Sequence, residues 1–419
     1  MRFIKYLLAI LSLIYTAYSN EYDFKNYTVV DGLSESTINV IFEDDKGFLY
    51  IGTENGLGLF DGLTFFNYKM NVFNETTIFG NNIKSICQDD YGDIWVGTEL
   101  GLSKLDTRTR KFERITNTKY NLKDIEKIFN DKNGHIWFRN SDGIYKYEQA
   151  LNEVECISCG ENLEINSFSN IYSTHSNEIL ISTFSNLYRY DFDSDTLRSM
   201  LNSNNSTIEI SFVTDIIEID NTLWIGSKNG LIKLPYDPKI KPQVFKEKTS
   251  SLVNDDIRDI EYSKKKNEIW ISTKNGISIL NLNSNSFKNI QVTLFANSIV
   301  ENDIKNLILA DKSNRVWFTT NNYGGINNIS FIPNEKNSLD TIYVNLLHDE
   351  TDQTSIPGNN ITTFIEDKAG NVWFGTANAG LSMNSNFSSK FSSIINISFI
   401  SNPNKVSRLK ARNLPNYFF

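Results

Sequence analysis

From Asn82 the chain alternates apolar and polar residues, with Ile83 and Ile86 on one side, which predicts a strand to Gln88. Asp89-Asp90-Tyr91-Gly92 follows as a turn, because Asp accepts backbone N–H bonds and Gly takes the conformation that closes it. Ile94 to Gly97 is a short β-rich apolar run, and Thr98 to Gly101 is a second turn. Leu102 to Leu105 predicts a third strand, Asp106 to Arg110 another turn, and Phe112 to Ile115 a fourth strand. No window carries a sustained apolar period of about 3.6 residues, so helical repeats are excluded.

The same unit returns along the chain. Its Trp falls at Trp95, Trp137, Trp224, Trp270, Trp317 and Trp373, with Tyr50 in that place in the first copy and Leu180 in a decayed fourth one. These eight marks lie 42 to 47 residues apart, except the last interval, which is 56. Four strands in each repeat of this length imply an all-β fold, a β-propeller of four-stranded blades. Both faces of a blade are covered by its neighbours, so successive residues of Ile94-Trp95-Val96 can all be apolar. The Trp is expected to fill the outer gap between blades, Gly97 to let a neighbouring backbone approach, and Thr98 to bond the turn. On this reading the repeated Trp is a packing device.

The two ends differ from the repeats. Arg2 and Lys5 precede an apolar core, Tyr6 to Ile14, and Ala17-Tyr18-Ser19 offers small residues to a signal peptidase. Residues 1–19 are therefore expected to be a signal peptide cleaved before Asn20, with an uncleaved anchor as the alternative. That apolar stretch is short for a spanning helix, which needs about 20 residues, and no other stretch is long and apolar enough. Tyr22 to Val30 resembles a fourth strand without its preceding three, and is expected to close the ring against the last repeat. The repeats occupy 20–389. Residues 390–419 form a tail with Lys405, Arg408, Lys410 and Arg412 that does not complete another unit.

Asp31-Gly-Leu-Ser, then Asp44, Gly47, Thr53, Gly56, Leu57 and Asp61, resembles the opening of the two-component regulator propeller family. Pieces of that motif recur at Asp89 to Leu102, Asp131 to Ile144, Asp311 to Ile326 and Asp367 to Leu381. The resemblance covers nearly all of the chain after residue 19. It implies the exported sensor region of a hybrid two-component receptor, apparently truncated, with a glycan-derived nutrient as ligand and homodimers as the signalling form. The family usually carries two seven-bladed propellers. Seven blades plus one orphan repeat is thus the expected arrangement, and eight blades the alternative. Several copies depart from the motif. Arg139-Asn140 stands where Gly-Thr is expected, the fourth copy keeps only strand-like alternation, and the seventh has Thr319 with Tyr323-Gly324-Gly325. Its long final interval reads as a polar insertion from Pro333 to Gly358.

The net charge of −9 and pI near 5.1 disfavour nucleic acid as a partner. His135, His175 and His348 sit in different copies without metal-ligand spacing, and are read as surface turn residues. Cys87 reads as a small buried apolar residue. Cys156 and Cys159 form one CxxC, which in an exported chain reads as a local disulfide ahead of free thiols or metal. No nucleophile elbow, phosphate loop or paired acid and base stands out, so neither an enzyme nor a cofactor is expected. What remains is one rim. Its second-to-third-strand turns carry Glu54, Asn55, Glu99, Arg139, Asn140 and Lys228, then Asn229, Lys274, Asn275, Asn321, Asn322 and Tyr323. Arg139, Asn140, Asn321, Asn322 and Tyr323 are the candidate ligand-binding residues, because amides, a charge and an aromatic suit a sugar. The competing reading is a stand-alone exported propeller that acts as a protein- or glycan-binding scaffold.

Overall fold

In the computed structural model, the described residues are 22–159, 170–200, 210–237, 239–290, 303–310, 315–321, 324–333 and 339–385. The expected signal peptide and the 390–419 tail lie outside them, as do Asn322 and Tyr323. The described residues build eight antiparallel four-stranded sheets and one short 3-10 turn, Val29–Asp31. Blades 1 to 7 span 38–68, 83–115, 127–159, 170–199, 213–245, 257–290 and 304–346, each with its strands in chain order.

Blade 8 is assembled from both ends of the chain. Ile361–Glu366, Val372–Thr376 and Leu381–Asn384 supply three strands, and Phe24–Tyr27 pairs antiparallel with Leu381–Asn384 as the fourth. The expected closing strand is therefore present. Seven blades plus an orphan is corrected to a ring of eight, because the eighth repeat receives its missing strand from the N-terminal side. It also packs directly on blade 1, where Ile38 lies against Gly375. The expected insertion in the seventh repeat is a correction too. Part of it is the fourth strand of blade 7, since Leu339–Leu346 pairs with Ile326–Pro333 over eight residues.

The first strands ring the axis, and the Trp residues pack outward between blades. Trp95 meets Tyr147 of blade 3 at 5.1 Å, Trp137 meets Tyr190 of blade 4 at 4.9 Å, and Trp317 meets Phe374 of blade 8 at 5.3 Å. Each of these indoles is buried, and truncating one such aromatic costs about 3–5 kcal/mol. Where a glycine follows the Trp, at Gly97, Gly226 and Gly375, it does face a close neighbour, but mainly a side chain. A Cβ on Gly97 would lie 2.6 Å from Cγ2 of Ile125, the residue that opens blade 3, and one on Gly375 would lie 2.7 Å from Ile38. The following Thr bonds its turn as expected, with Thr273 Oγ1 donating to Gly276 O at 2.8 Å and Thr376 to Gly380 O at 2.8 Å.

Candidate ligand-binding site

The second-to-third-strand turns and the loops between blades share one face of the ring, around the mouth of the axis. Just inside that mouth, the first strands of blades 1, 2, 5, 6, 7 and 8 each carry a register shift that leaves one residue out of the ladder. Such a bulge re-aims its side chain. In blades 1, 2, 6 and 8 the re-aimed residue reaches the start of the next blade, whereas Thr214 Oγ1 of blade 5 meets no hydrogen-bond partner among the described residues. Asn39 Nδ2 donates to Ile83 O at 3.0 Å, Lys84 pairs with Asp124, Arg258 Nε sits 3.4 Å from Asp303, and Thr362 Oγ1 donates to Ile38 O.

Lys305, the bulge residue of blade 7, makes no such link among the described residues. Blades 7 and 8 instead leave a polar recess of 430 Å³ at the mouth, lined by Asp303, Lys305, Thr320, Asn321, Asn359 and Asn360. Asn321 donates its backbone N–H to Asp303 O at 3.0 Å, and Asn359 Oδ1 accepts from His348 N at 2.7 Å. A cation, a carboxylate and several amides facing one recess offer donors and acceptors to a polyhydroxylated molecule.

Of the candidates named from sequence, Asn321 is in this recess. Arg139 and Asn140 lie on blade 3, away from it. Asn140 is 1% exposed, and its amide is spent on backbone. Its nitrogen donates to Asn121 O and Lys123 O at 2.8 and 2.9 Å, while its oxygen accepts from Asp142 N and Gly143 N. It does the turn-holding work of the Thr it replaces. Arg139 is half-buried and ion-paired with Glu126. Glu99 is likewise committed, accepting from Asn81 N at 3.1 Å and Asn82 N at 2.9 Å. Sequence reading missed Lys305, Asn359 and Asn360. The available signal for Lys305 was the repeated start of the bulged first strands, Ile or Val, two residues, then an apolar one, whose second residue is the bulge.

Beside Arg139 in the ladder, Lys127 lies 4.6 Å over the ring of Tyr172 of blade 4. Burial pushes Lys127 down to about 8, with Arg139 adding to the fall and Asp215 of blade 5 opposing it. Burial in turn raises Asp215. Cys156 is disulfide-bonded, and Cys87 is buried and free. The side chain of Cys159 lies outside the described residues, so its pairing stays an expectation. His135 is not a loose surface residue, since its Nδ1 meets Asp131 Oδ2 at 2.9 Å. Among the described residues no three His, Cys, Asp or Glu gather to hold a metal, and no helix is long and apolar enough to cross a membrane.

Comparison with known proteins agrees with this architecture. Residues 32–55, 77–99 and 355–378 match the family described as two component regulator propeller. A histidine kinase P4 of Formosa agariphila is 39% identical over 72 residues, which are 17% of this chain and 5% of that protein. The extracellular domain of a hybrid two component system from B. thetaiotaomicron is 20% identical, with a TM-score of 0.50 over 87% of this chain and 54% of that one. The computationally designed Ika8 protein is 11% identical, with a TM-score of 0.55 over 86% of this chain and 98% of that one. The chain thus spans about half the length of the receptor domain it resembles and a small part of the kinase. With eight four-stranded blades and the repeated Asp-turn and Trp, the chain has a β-propeller fold, and three of its segments carry the repeat of the two component regulator propeller family.

Proposed function

We propose that this propeller is the exported ligand-sensing part of a two-component receptor, and that it takes a glycan-derived ligand in the recess between blades 7 and 8. The family supports the sensing role. The observation that carries the site is Lys305, the bulge residue that turns to an open polar recess instead of to the next blade. Sugars present many hydroxyls, and Lys305, Asn321 and Asn360 supply matching donors and acceptors. The chain binds and does not turn over its ligand. Transmission would follow from a ligand-driven shift in how receptor subunits pack.

Titration calorimetry of the purified chain against a panel of oligosaccharides tests this. One class should bind, and Lys305→Ala and Asn360→Ala should each weaken it by about tenfold or more. A sugar that binds equally well to both variants removes the site but keeps the sensor. Absence of binding across the panel removes the ligand class, and release of products from labelled polysaccharide removes the non-enzymatic reading.

A further inference from the structure

The Asp-x-x-Gly turns of blades 2, 3 and 8 share one arrangement. One carboxylate oxygen holds backbone N–H groups of the turn, as when Asp89 Oδ1 accepts from Tyr91 N and Asp93 N. The other takes the indole N–H of the Trp six residues on, at 2.9 Å in Asp89, 2.8 Å in Asp131 and 2.8 Å in Asp367. It also meets a second side chain. That is Lys104 at 3.4 Å for Asp89, His135 at 2.9 Å for Asp131 and Asn371 at 2.8 Å for Asp367.

Blade 1 has lost every one of these donors. Asp44 keeps the backbone half, its Oδ1 accepting from Lys46 N at 3.0 Å and Phe48 N at 2.8 Å. Yet Phe48 stands where His135 and Asn371 stand, and Tyr50 replaces the Trp. Leu59 faces Tyr50 across the ladder where Lys104 faces Trp95. Asp44 is 2% exposed, and its Oδ2 meets no hydrogen-bond donor or cation among the described residues. Asp44 lines an open recess, where its Oδ2 is left without the side-chain donors that complete its counterparts in blades 2, 3 and 8.

The smaller ring also leaves room. A recess of 200 Å³ opens between blades 1 and 2, on the face opposite the mouth. Its lining includes Asp44 and Tyr50, the apolar faces of Phe66, Tyr68 and Leu105, and the charged Arg110, Lys46 and Asp61. Arg110 closes a turn in the left-handed region, at φ 58°. The same turn position holds Asn152, Asp195 and Asn285 in blades 3, 4 and 6, residue types that accept this conformation readily. Its guanidinium lies 5.0 Å over the Phe66 ring and has no ion pair among the described residues. One recess thus holds a carboxylate without the side-chain donors of its counterparts, a guanidinium without an ion pair among the described residues, and aromatic side chains, with Lys46 and Asp61 also in its lining, while Lys368 Nζ donates to the Asp44 carbonyl at 2.7 Å.

We propose that this recess is a second binding site, separate from the mouth, for a small zwitterion of the α-amino-acid class. The ammonium group donates to Asp44 Oδ2 and the Tyr50 hydroxyl, the carboxylate meets Arg110, and an aliphatic side chain lies on Phe66, Tyr68 and Leu105. At 200 Å³ the recess is below the usual range of drug-sized pockets, which limits it to a single small molecule.

Thermal unfolding of the purified chain with each standard L-amino acid, n-butylamine and butyrate is the test. At least one aliphatic amino acid should raise Tm progressively with the logarithm of its concentration, and neither single-charge analogue should match it. Tyr50→Trp restores the indole donor and fills the recess, so it should raise the ligand-free Tm and abolish the response. The exposed variant Arg110→Gln should fold normally and weaken the response by about tenfold or more. Failure of every amino acid to shift Tm overturns the proposal, as does an unchanged response in Arg110→Gln.

Discussion

Tyr27 stands opposite Leu381 in the last strand pair, stacks on Trp373 at 5.8 Å, and meets Phe60 of blade 1 edge-on at 5.2 Å. One ring therefore joins the first and last strands to each other and to the next blade. Tyr27→Ala should destabilise the ring by about 3–5 kcal/mol, read from urea unfolding. A cost below about 1 kcal/mol would show that closure rests elsewhere. Removing residues through Tyr27 should bare the Leu381–Asn384 edge and produce association in solution, visible by light scattering.

Gly97 gives a test of blade packing with its own rescue. Its missing Cβ is the space that Ile125 occupies. Gly97→Ala should cost about 1–3 kcal/mol by overpacking. Ile125→Ala in the same chain should recover part of that loss, because it removes the clashing methyl groups. Additive costs in the double-mutant cycle would mean the two residues do not compete for one space.

The Asp turns should not all be worth the same. Asp131 accepts from two backbone N–H groups, Trp137 and His135, whereas Asp44 has only its backbone half. Asp131→Ala should therefore cost roughly 3 kcal/mol or more, by leaving several buried donors unpaired. Asp44→Ala should cost clearly less. Equal costs in chemical denaturation would contradict this ordering.

Lys127 predicts a pH signature. Its folded value, about 8, lies below the ordinary 10.5, so between these values the unfolded chain binds more protons. Stability should rise across that window, as the half-buried ammonium loses its charge in the folded state first. The gain should be on the order of 1 kcal/mol or more. It is isolated by subtracting Lys127→Met, which has no proton to lose, from the parent chain in unfolding experiments from pH 7.5 upward. Parallel curves would show that Lys127 titrates normally.

Much of this was legible in the sequence, because each repeat states its strands locally. Apolar runs of three or four residues, separated by Asp-x-x-Gly and Gly-containing turns, mark the second and third strands wherever the motif survives. Blade 4 is legible despite its decay from the strand-like pattern around Asn177 to Asp191, where the strands Ile179–Ser182 and Leu187–Asp191 form. The candidate site was less legible. Asn321 lines the recess between blades 7 and 8, whereas Asn140 was not distinguishable from an exposed amide. Its role depends on Asn121 and Lys123, which lie some twenty residues earlier. Lys305, Asn359 and Asn360 converge only because blades 7 and 8 are neighbours.

The sequence by itself determined the four-stranded unit, the number of repeats, the closing role of Phe24–Tyr27 and the packing role of the Trp series. Those features follow from side-chain alternation and turn chemistry within each repeat. Only the tertiary structure decided that eight units close one ring, since closure depends on how much each sheet turns against the next. It also decided which polar residues are spent on neighbours and which face a recess. A hydrogen bond between blades joins positions about one repeat apart or at opposite ends of the chain, as between Asn39 and Ile83 or Thr362 and Ile38. No local pattern carries that information.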